Sequence, residues 1–339
     1  MEATPGACTL TLCVLGLYAL FLSWSLLQER INTKPYGSPD APVYFKAPLI
    51  INSIQAFFAA LVGLVYSRMA HGENPWGVLR AADGAIHGPL LRSFLVIAVS
   101  SSVSSPLAYA SLRHVDYVAF LLAKSCKLLP VMAVHFVLYR TRFPAYKCAV
   151  AGLVTGGVVL FTLAKRGATC SEANSGHLVL GMAPLGALML LDGFTNSTQD
   201  QMFRARGARQ SLTGASLMCV LNVLVCALTL AYVVVFRWLL EGMYTVAFVK
   251  AHPCVLVDVL VFALLGAVGQ VCVFVMLEKF GSMALVTATV TRKMLSMVLS
   301  VVFFGHRLAA AQWMGVALVF GGIACEACVK MGREKQKTA

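Results

Sequence analysis

Apolar residues fall along this chain in long blocks rather than in the narrow stripes of a soluble helix or the alternation of a strand. Ten blocks stand out, at about 8–27, 47–66, 92–110, 117–138, 146–163, 177–196, 214–236, 256–277, 281–303 and 311–330. Each approaches the ~20 residues that a helix needs to cross a hydrocarbon core. Backbone groups inside a bilayer must be satisfied within the segment, so the pattern predicts an all-α membrane protein of ten transmembrane helices. The first block has no basic leader and runs into LQERINTK rather than a small-residue cleavage site, which predicts a retained helix and not a signal peptide.

Polar positions inside the blocks carry the functional signal. Lys124 and Lys127 sit in the middle of YVAFLLAKSCKLLPVMAVHFV, and Arg292 and Lys293 occupy a similar depth in the ninth block. A cation near the bilayer centre costs roughly 2.5–3.5 kcal/mol, so such residues face a protein-lined, wet cavity and mark a substrate path. Lys124 and Lys127, spaced i, i+3, share one helix face. Acids in or beside the blocks are scarce (Glu29, Asp116, Asp192, Asp258, Glu278 and Glu326), which favours an anionic ligand over internal ion pairs. Ammonium and guanidinium groups suit phosphate oxygens.

Hydroxyls beside the cations, Thr289 among them, offer bonds to a sugar or ribose, and Tyr117 is placed either to stack on a nucleobase or to pack as core. Gln28 and Glu29 at the end of the first block close the cavity or hold a cation in it. Asp192 either orients the cation cluster or caps its helix.

The two halves resemble each other. A shift of 165 residues aligns Leu112–Val158 with Leu277–Ile323 without a gap, with 11 identities in 47 positions that include Gly156-Gly157 with Gly321-Gly322. Lys127 falls on Arg292, a match in charge. Five blocks separate each segment from its counterpart, an odd number, so the second copy is inverted. The reading is two five-helix repeats, residues 1–165 and 166–330, followed by a tail at 331–339. Inverted repeats are the architecture of alternating-access transporters, whose site lies near the midplane. Pro130, three residues after Lys127, removes a backbone hydrogen bond from its helix.

Composition narrows the partners. With 59% hydrophobic and 12% charged residues and a mean hydropathy of +0.80, the chain lies far outside the soluble range. The net charge of +13 is spread over short loops, and no soluble module presents a groove, so nucleic acid is excluded in favour of lipid headgroups. Counted by side, 14 basic residues accompany a cytosolic N terminus against 9 opposite, which predicts both termini in the cytosol. The sequon at Asn196 then lies on the cytosolic side and carries no glycan. Eleven cysteines lie mostly in apolar blocks, and the Cys325/Cys328 pair has no second pair to complete a zinc site, so neither metal nor cofactor is expected. No GxSxG, HExxH or phosphate loop is present.

Three segments, LRHVDYVAFLLAKSCKLLPV, LDGFTNSTQD and GSMALVTATVTRKMLSMVLSVVFFG, resemble the signature regions of the nucleotide-sugar transporters of the endoplasmic reticulum and Golgi. The resemblance covers nearly the whole chain. It implies the drug/metabolite transporter fold and antiport of a cytosolic nucleotide sugar, UDP-galactose foremost, against a lumenal nucleoside monophosphate. By analogy Lys124, Lys127, Arg292 and Lys293 are the phosphate-binding cations and Glu29 a gate residue. The GALNK motif of GDP-mannose carriers is lacking, which disfavours that sugar, whereas UDP-glucose and ATP/ADP exchange stay open. The rival from another class is a non-transporting membrane scaffold. The tail ends KQKTA, placing Lys335 and Lys337 as a dilysine signal read by a cytosolic retrieval coat, with a solvated basic end as the plain alternative.

Overall fold

A computed structural model describes residues 7–37, 42–72, 74–79, 88–112, 114–115, 117–125, 132, 145–168, 175–206, 213–305 and 309–338. Among these, ten α-helices follow in order: α1 (Ala7–Thr33), α2 (Pro48–His71), α3 (Gly88–Leu112), α4 (Tyr117–Ser125), α5 (Ala145–Ala168), α6 (Ser175–Arg206), α7 (Gly214–Tyr232), α8 (Met243–Ala251), α9 (Cys254–Phe304) and α10 (Ala310–Thr338). A 3₁₀ turn at Pro75–Leu79 precedes α3, and a π-helical stretch, Val233–Gly242, joins α7 to α8. No strand occurs among the described residues. Among the described residues, six helical segments are long and apolar enough to cross a membrane: Thr9–Thr33, Pro48–Ala70, Gly88–Leu112, Gly214–Ala251, Cys254–Leu277 and Thr287–Phe304. Cys148–Phe161 and Ala310–Glu326 are shorter apolar helices. Much of the fourth sequence block lies outside the described residues, and with it Lys127 and Pro130.

Local chemistry sets several helix ends. Pro48, with φ already fixed and no N–H to lose, opens α2, and Gly72 closes it in the left-handed region at φ 63°. Thr213 caps α7, its hydroxyl accepting from the Ser216 N–H at 3.3 Å. The far end of α7 has no stop signal. Helical structure therefore runs on to Ala251, and the 38 residues from Gly214 cover about 57 Å at the usual rise, well beyond the ~30 Å hydrocarbon core. Sequence separates the eighth and ninth blocks at 278–280. The structure instead keeps one helix, α9, through that point.

Packing divides the chain into two compact units that are not the two sequence halves. Unit one gathers residues 1–106 and 195–278, and unit two residues 107–194 and 279–339. The chain changes unit within α9 at Glu278/Lys279, where the sequence had placed the boundary between two spans.

In unit one α2 packs extensively along α7. Small residues on α2 let it close: Ala56 meets Val225 and Ala98, and Ala59 meets Met218 and Ala267. Phe94 and Ile97 of α3 fill a further cluster with Leu217, Val220 and Met202. The connection from α1 to α2 is tied down at its ends. The Tyr36 hydroxyl donates to Asp258 Oδ2 at 3.0 Å, and Arg30 pairs with the same oxygen at 3.1 Å. Phe45 lies against Tyr244 and Phe248, with ring centroids 6.2 and 5.2 Å apart. Glu241 accepts from the Leu49 N–H at 3.2 Å and pairs with Arg237 at 3.3 Å.

In unit two α5 packs extensively along α10. Val150, Val154 and Phe161 of α5 share a core with Val316, Val319 and Phe320 of α10, joined by Val118 and Leu122 of α4 and Met297 of α9. Leu185 and Leu188 of α6 pack on Phe120 and Ala123.

Candidate functional site

The cations foreseen from sequence lie, where described, in unit two, on two helices that the core draws together. Val118 and Leu122 of α4 share a cluster with Met297 of α9. Lys124 stands two residues past Leu122, and Lys293 one helical turn before Met297. Lys124 is exposed, its Nζ 5.7 Å from the centroid of the Phe120 ring. That contact is within cation–π range and leaves the ammonium able to meet an anion. Arg292 and Lys293 are half-buried and engaged within the chain.

Several foreseen residues take more specific positions than sequence allowed. Tyr117 is 3% exposed and stacks on Phe120, centroids 6.4 Å apart, so its ring belongs to the wall under Lys124. Thr289 gives its hydroxyl proton to the Leu285 carbonyl at 2.6 Å, which leaves the oxygen as an acceptor suited to a sugar hydroxyl rather than to a phosphate. Asp192 does not cap a helix end, because α6 continues to Arg206. Glu29, fully buried at 0%, is not the solvated interfacial acid common at a helix end; like Gln28 it belongs to unit one and has partners within the chain. Lys335 and Lys337 fall in the last turns of α10, a helical setting for the tail.

Two groups of polar residues escaped the sequence reading, which weighed charged groups inside or beside apolar blocks and the polar groups next to them. Ser296 and Ser300 follow Arg292 along α9 at i+4 and i+8; both hydroxyls are buried and have no hydrogen-bond partner among the described residues. Unit one holds a cavity of about 190 Å³ lined by Asn52, Gln55, Ser101, Asn222 and Gln270 together with apolar residues. Isolated carboxamides within apolar blocks were the available signal, since a bilayer segment gains nothing from them unless they find partners. Part of their bonding is internal. Asn222 donates to the Met218 carbonyl at 2.7 Å, and Asn52 to Thr229 Oγ1 at 3.3 Å.

These features define an all-helical, multi-pass membrane protein whose apolar helices carry cations and neutral amides, as the helices of a membrane carrier do. Residues 9–330 match the model of the UAA transporter family, and the chain belongs to that family. It is 57% identical to UDP-galactose transporter homolog 1 of Debaryomyces hansenii, over 99% of this chain and 98% of that one. Identity to the protein of the same name in Candida albicans is 48%, over 98% of this chain and 92% of that one, and to that of Schizosaccharomyces pombe 36%, over 95% and 94%. A crystal structure 16% identical in sequence has the same fold, with a TM-score of 0.51 over 97% of this chain and 99% of its own.

Proposed function

We propose that the protein carries UDP-galactose from the cytosol into the lumen of the endoplasmic reticulum or Golgi and returns UMP, supporting lumenal glycosylation and protein folding. The observation that carries this reading is the pairing in one packed unit of α4, which bears Lys124, with the part of α9 that bears Arg292 and Lys293. In an apolar chain, that concentration of cations suits a polyanionic guest, and a nucleoside diphosphate supplies one. The names of the relatives in Debaryomyces hansenii and Candida albicans support UDP-galactose as that guest.

Lys124, Lys127, Arg292 and Lys293 hold the phosphates, Thr289 accepts from a sugar hydroxyl, and Tyr117 supports Lys124 from beneath. Gln28, Glu29 and Asp192 act as gating residues. Residues 1–165 and 166–330 are inverted repeats that exchange inward- and outward-open states, and both termini lie in the cytosol. A loaded site reorients more readily than an empty one whose cations repel, which makes the process an exchange.

Purified protein in vesicles preloaded with UMP tests this. Labelled UDP-galactose should enter only when UMP is inside. Uptake indifferent to internal nucleotide would overturn the exchange, and uptake of ATP or UDP-glucose in its place would overturn the substrate. A protein that neither transports nor is stabilised by any of these nucleotides would be a scaffold.

A further inference from the structure

Unit two holds a group of thiols for which the carrier chemistry has no use. Glycine contacts fix the direction of its α5–α10 pair: Gly315 meets Gly157 and Phe161, whereas Gly322 meets Val154 and Val150. Rising numbers on one helix run beside falling numbers on the other, so the two are antiparallel. Cys148 stands two residues before Val150 on α5, and Cys325 and Cys328 stand three and six residues past Gly322 on α10. Two helices therefore bring three cysteines to one end of the pair.

All three are free and exposed. Val150 is buried in the core shared with α10, and Cys148 lies about 200° round α5 from it at 100° per residue. Cys325 and Cys328, spaced i, i+3, share one side of α10. The other described cysteines are buried or half-buried, except Cys254, which opens α9 in unit one. A metal centre is not formed: among the described residues no group of three His, Cys, Asp or Glu side chains gathers closely enough to hold an ion.

Place in the sequence decides what such thiols meet. Cys148 falls at the start of the fifth apolar block and Cys325 and Cys328 near the end of the tenth. Lys147 immediately precedes the first, and Lys330 and Arg333 follow the last. The cluster thus stands where apolar helix gives way to basic chain, the level of the lipid headgroups. A juxtamembrane cysteine is suited to reversible S-acylation, because a chain attached there enters the hydrocarbon directly and gains from burying its methylenes. Basic residues on the same side attract a polyanionic donor such as acyl-CoA.

We infer that Cys148, Cys325 and Cys328 form an S-acylation site, which receives a long-chain fatty acyl group from acyl-CoA through a membrane acyltransferase. The cysteine sulfur attacks as thiolate at the thioester carbonyl carbon. A carbon–sulfur bond forms to the protein, the bond from that carbon to the coenzyme A sulfur breaks, and the proton lost by the cysteine ends on the released coenzyme A thiol. Nothing is oxidised or reduced. Acyl-CoA is a cytosolic donor, so the inference rests on the cytosolic C terminus proposed above. Cys254 lies on the opposite side in that topology and is the internal control.

The full chain, tagged at its C terminus and expressed in yeast, provides the test. Protease added to sealed vesicles with the cytosolic face outward reads the side first. A protected tag overturns the topology, and this inference with it. With the tag accessible, cells fed alkynyl palmitate should yield labelled protein whose label is released by neutral hydroxylamine. Changing Cys148, Cys325 and Cys328 together to serine should abolish the label, and Cys254→Ser should leave it unchanged. Absence of hydroxylamine-sensitive label, or its persistence in the triple variant, overturns the inference while the topology stands. So does wild-type protein in which these thiols are blocked but freed by a reductant alone, the mark of a disulfide. Peptide mass spectrometry of the wild type makes the result independent of how the triple variant folds: acyl groups should map to this cluster, and acyl groups found only elsewhere overturn it.

Discussion

Gly157 and Gly315 meet through their backbones. A Cβ on Gly157 would come within 2.8 Å of the Gly315 carbonyl oxygen, and one on Gly315 within 2.7 Å of that of Gly157. The 165-residue shift carries Gly157 onto Gly322, Val154 onto Val319 and Val150 onto Gly315. The contacts obey the same exchange: Gly157 faces Val319 and Gly315, while Gly322 faces Val154 and Val150. The α5–α10 pair is therefore reciprocal, as helices related by an internal repeat would be. Gly157→Ala and Gly315→Ala should each destabilise by about 1–3 kcal/mol, the usual cost of overpacking. Gly156 and Gly152 have nothing within 4 Å of the added carbon, so alanine there should be neutral or stabilising through its better helix propensity. Melting temperatures of the purified variants separate the two sets.

Lys124 supports a prediction about transport in which stability is the control. It is exposed and rests against the Phe120 ring, so the fold does not depend on its charge. A hydrogen bond to a charged group is worth about 1.5–3 kcal/mol. Lys124→Gln should accordingly raise the KM for UDP-galactose by roughly ten- to a hundredfold and leave the ligand-free melting temperature near that of the wild type. Vesicle uptake over a range of substrate concentrations measures the first effect and thermal unfolding the second.

The buried carboxylate of Glu241 joins two helices. One oxygen accepts from the Leu49 N–H in the first turn of α2, and the other pairs with Arg237. An anion at a helix N terminus satisfies an orphan donor and complements the helix dipole. Glu241→Leu strands the Leu49 N–H and should cost about 1–3 kcal/mol. Glu241→Gln retains an acceptor and should cost less. Unfolding in denaturant ranks wild type above glutamine above leucine, and a leucine variant as stable as the wild type would exclude the link.

Legibility in the sequence tracked the cost of a mistake in lipid. Lys124, Arg292 and Glu29 stood out because a charge in an apolar block is expensive, and the glycine pairs because they recur at the repeat interval. The cavity of unit one was not legible. Asn52, Gln55, Asn222 and Gln270 are scattered over more than 200 residues, and an isolated amide differs little from a packing residue until tertiary structure gathers four of them. The continuation of helical structure from α7 to Ala251 was equally hidden, since the apolar block ends at 236, just before Arg237 and Glu241, which pair one turn apart. Of each glycine pair, only helix rotation decides that Gly157 and Gly322 face the partner helix and Gly156 and Gly321 do not.

Tyr36 makes stability depend on pH in the alkaline range. Burial raises the pKa of its phenol, and the neighbouring Asp258 carboxylate raises it further. A raised folded-state value means that the contribution is complete below the ordinary phenol value of 10.0 and declines as pH rises through the folded-state value. Above pH 10.0 the unfolded phenol ionises while the folded one keeps its proton and donates it in a hydrogen bond to Asp258. Tyr36→Phe removes this dependence. The stability advantage of wild type over the variant should be constant below pH 10.0 and shrink above it. Paired unfolding curves from pH 8 to 11 provide the check.

Lys335 and Lys337 distinguish an address from a solvated end. A retrieval coat reads lysines near the C terminus only from the cytosol, so a working signal fixes the side of the tail as well as the compartment. A basic end held by anionic headgroups gains about 1 kcal/mol per lysine from any membrane with such lipids, without regard to compartment. Changing both lysines to serine should move a working carrier to later compartments with its transport intact, whereas changing them to arginine keeps the charge and should also release it if the coat reads lysine itself. Fluorescence microscopy of the tagged protein, with the tag on the N terminus to leave the tail exposed, decides between them. Retention of the serine variant would leave the lysines as lipid contacts alone.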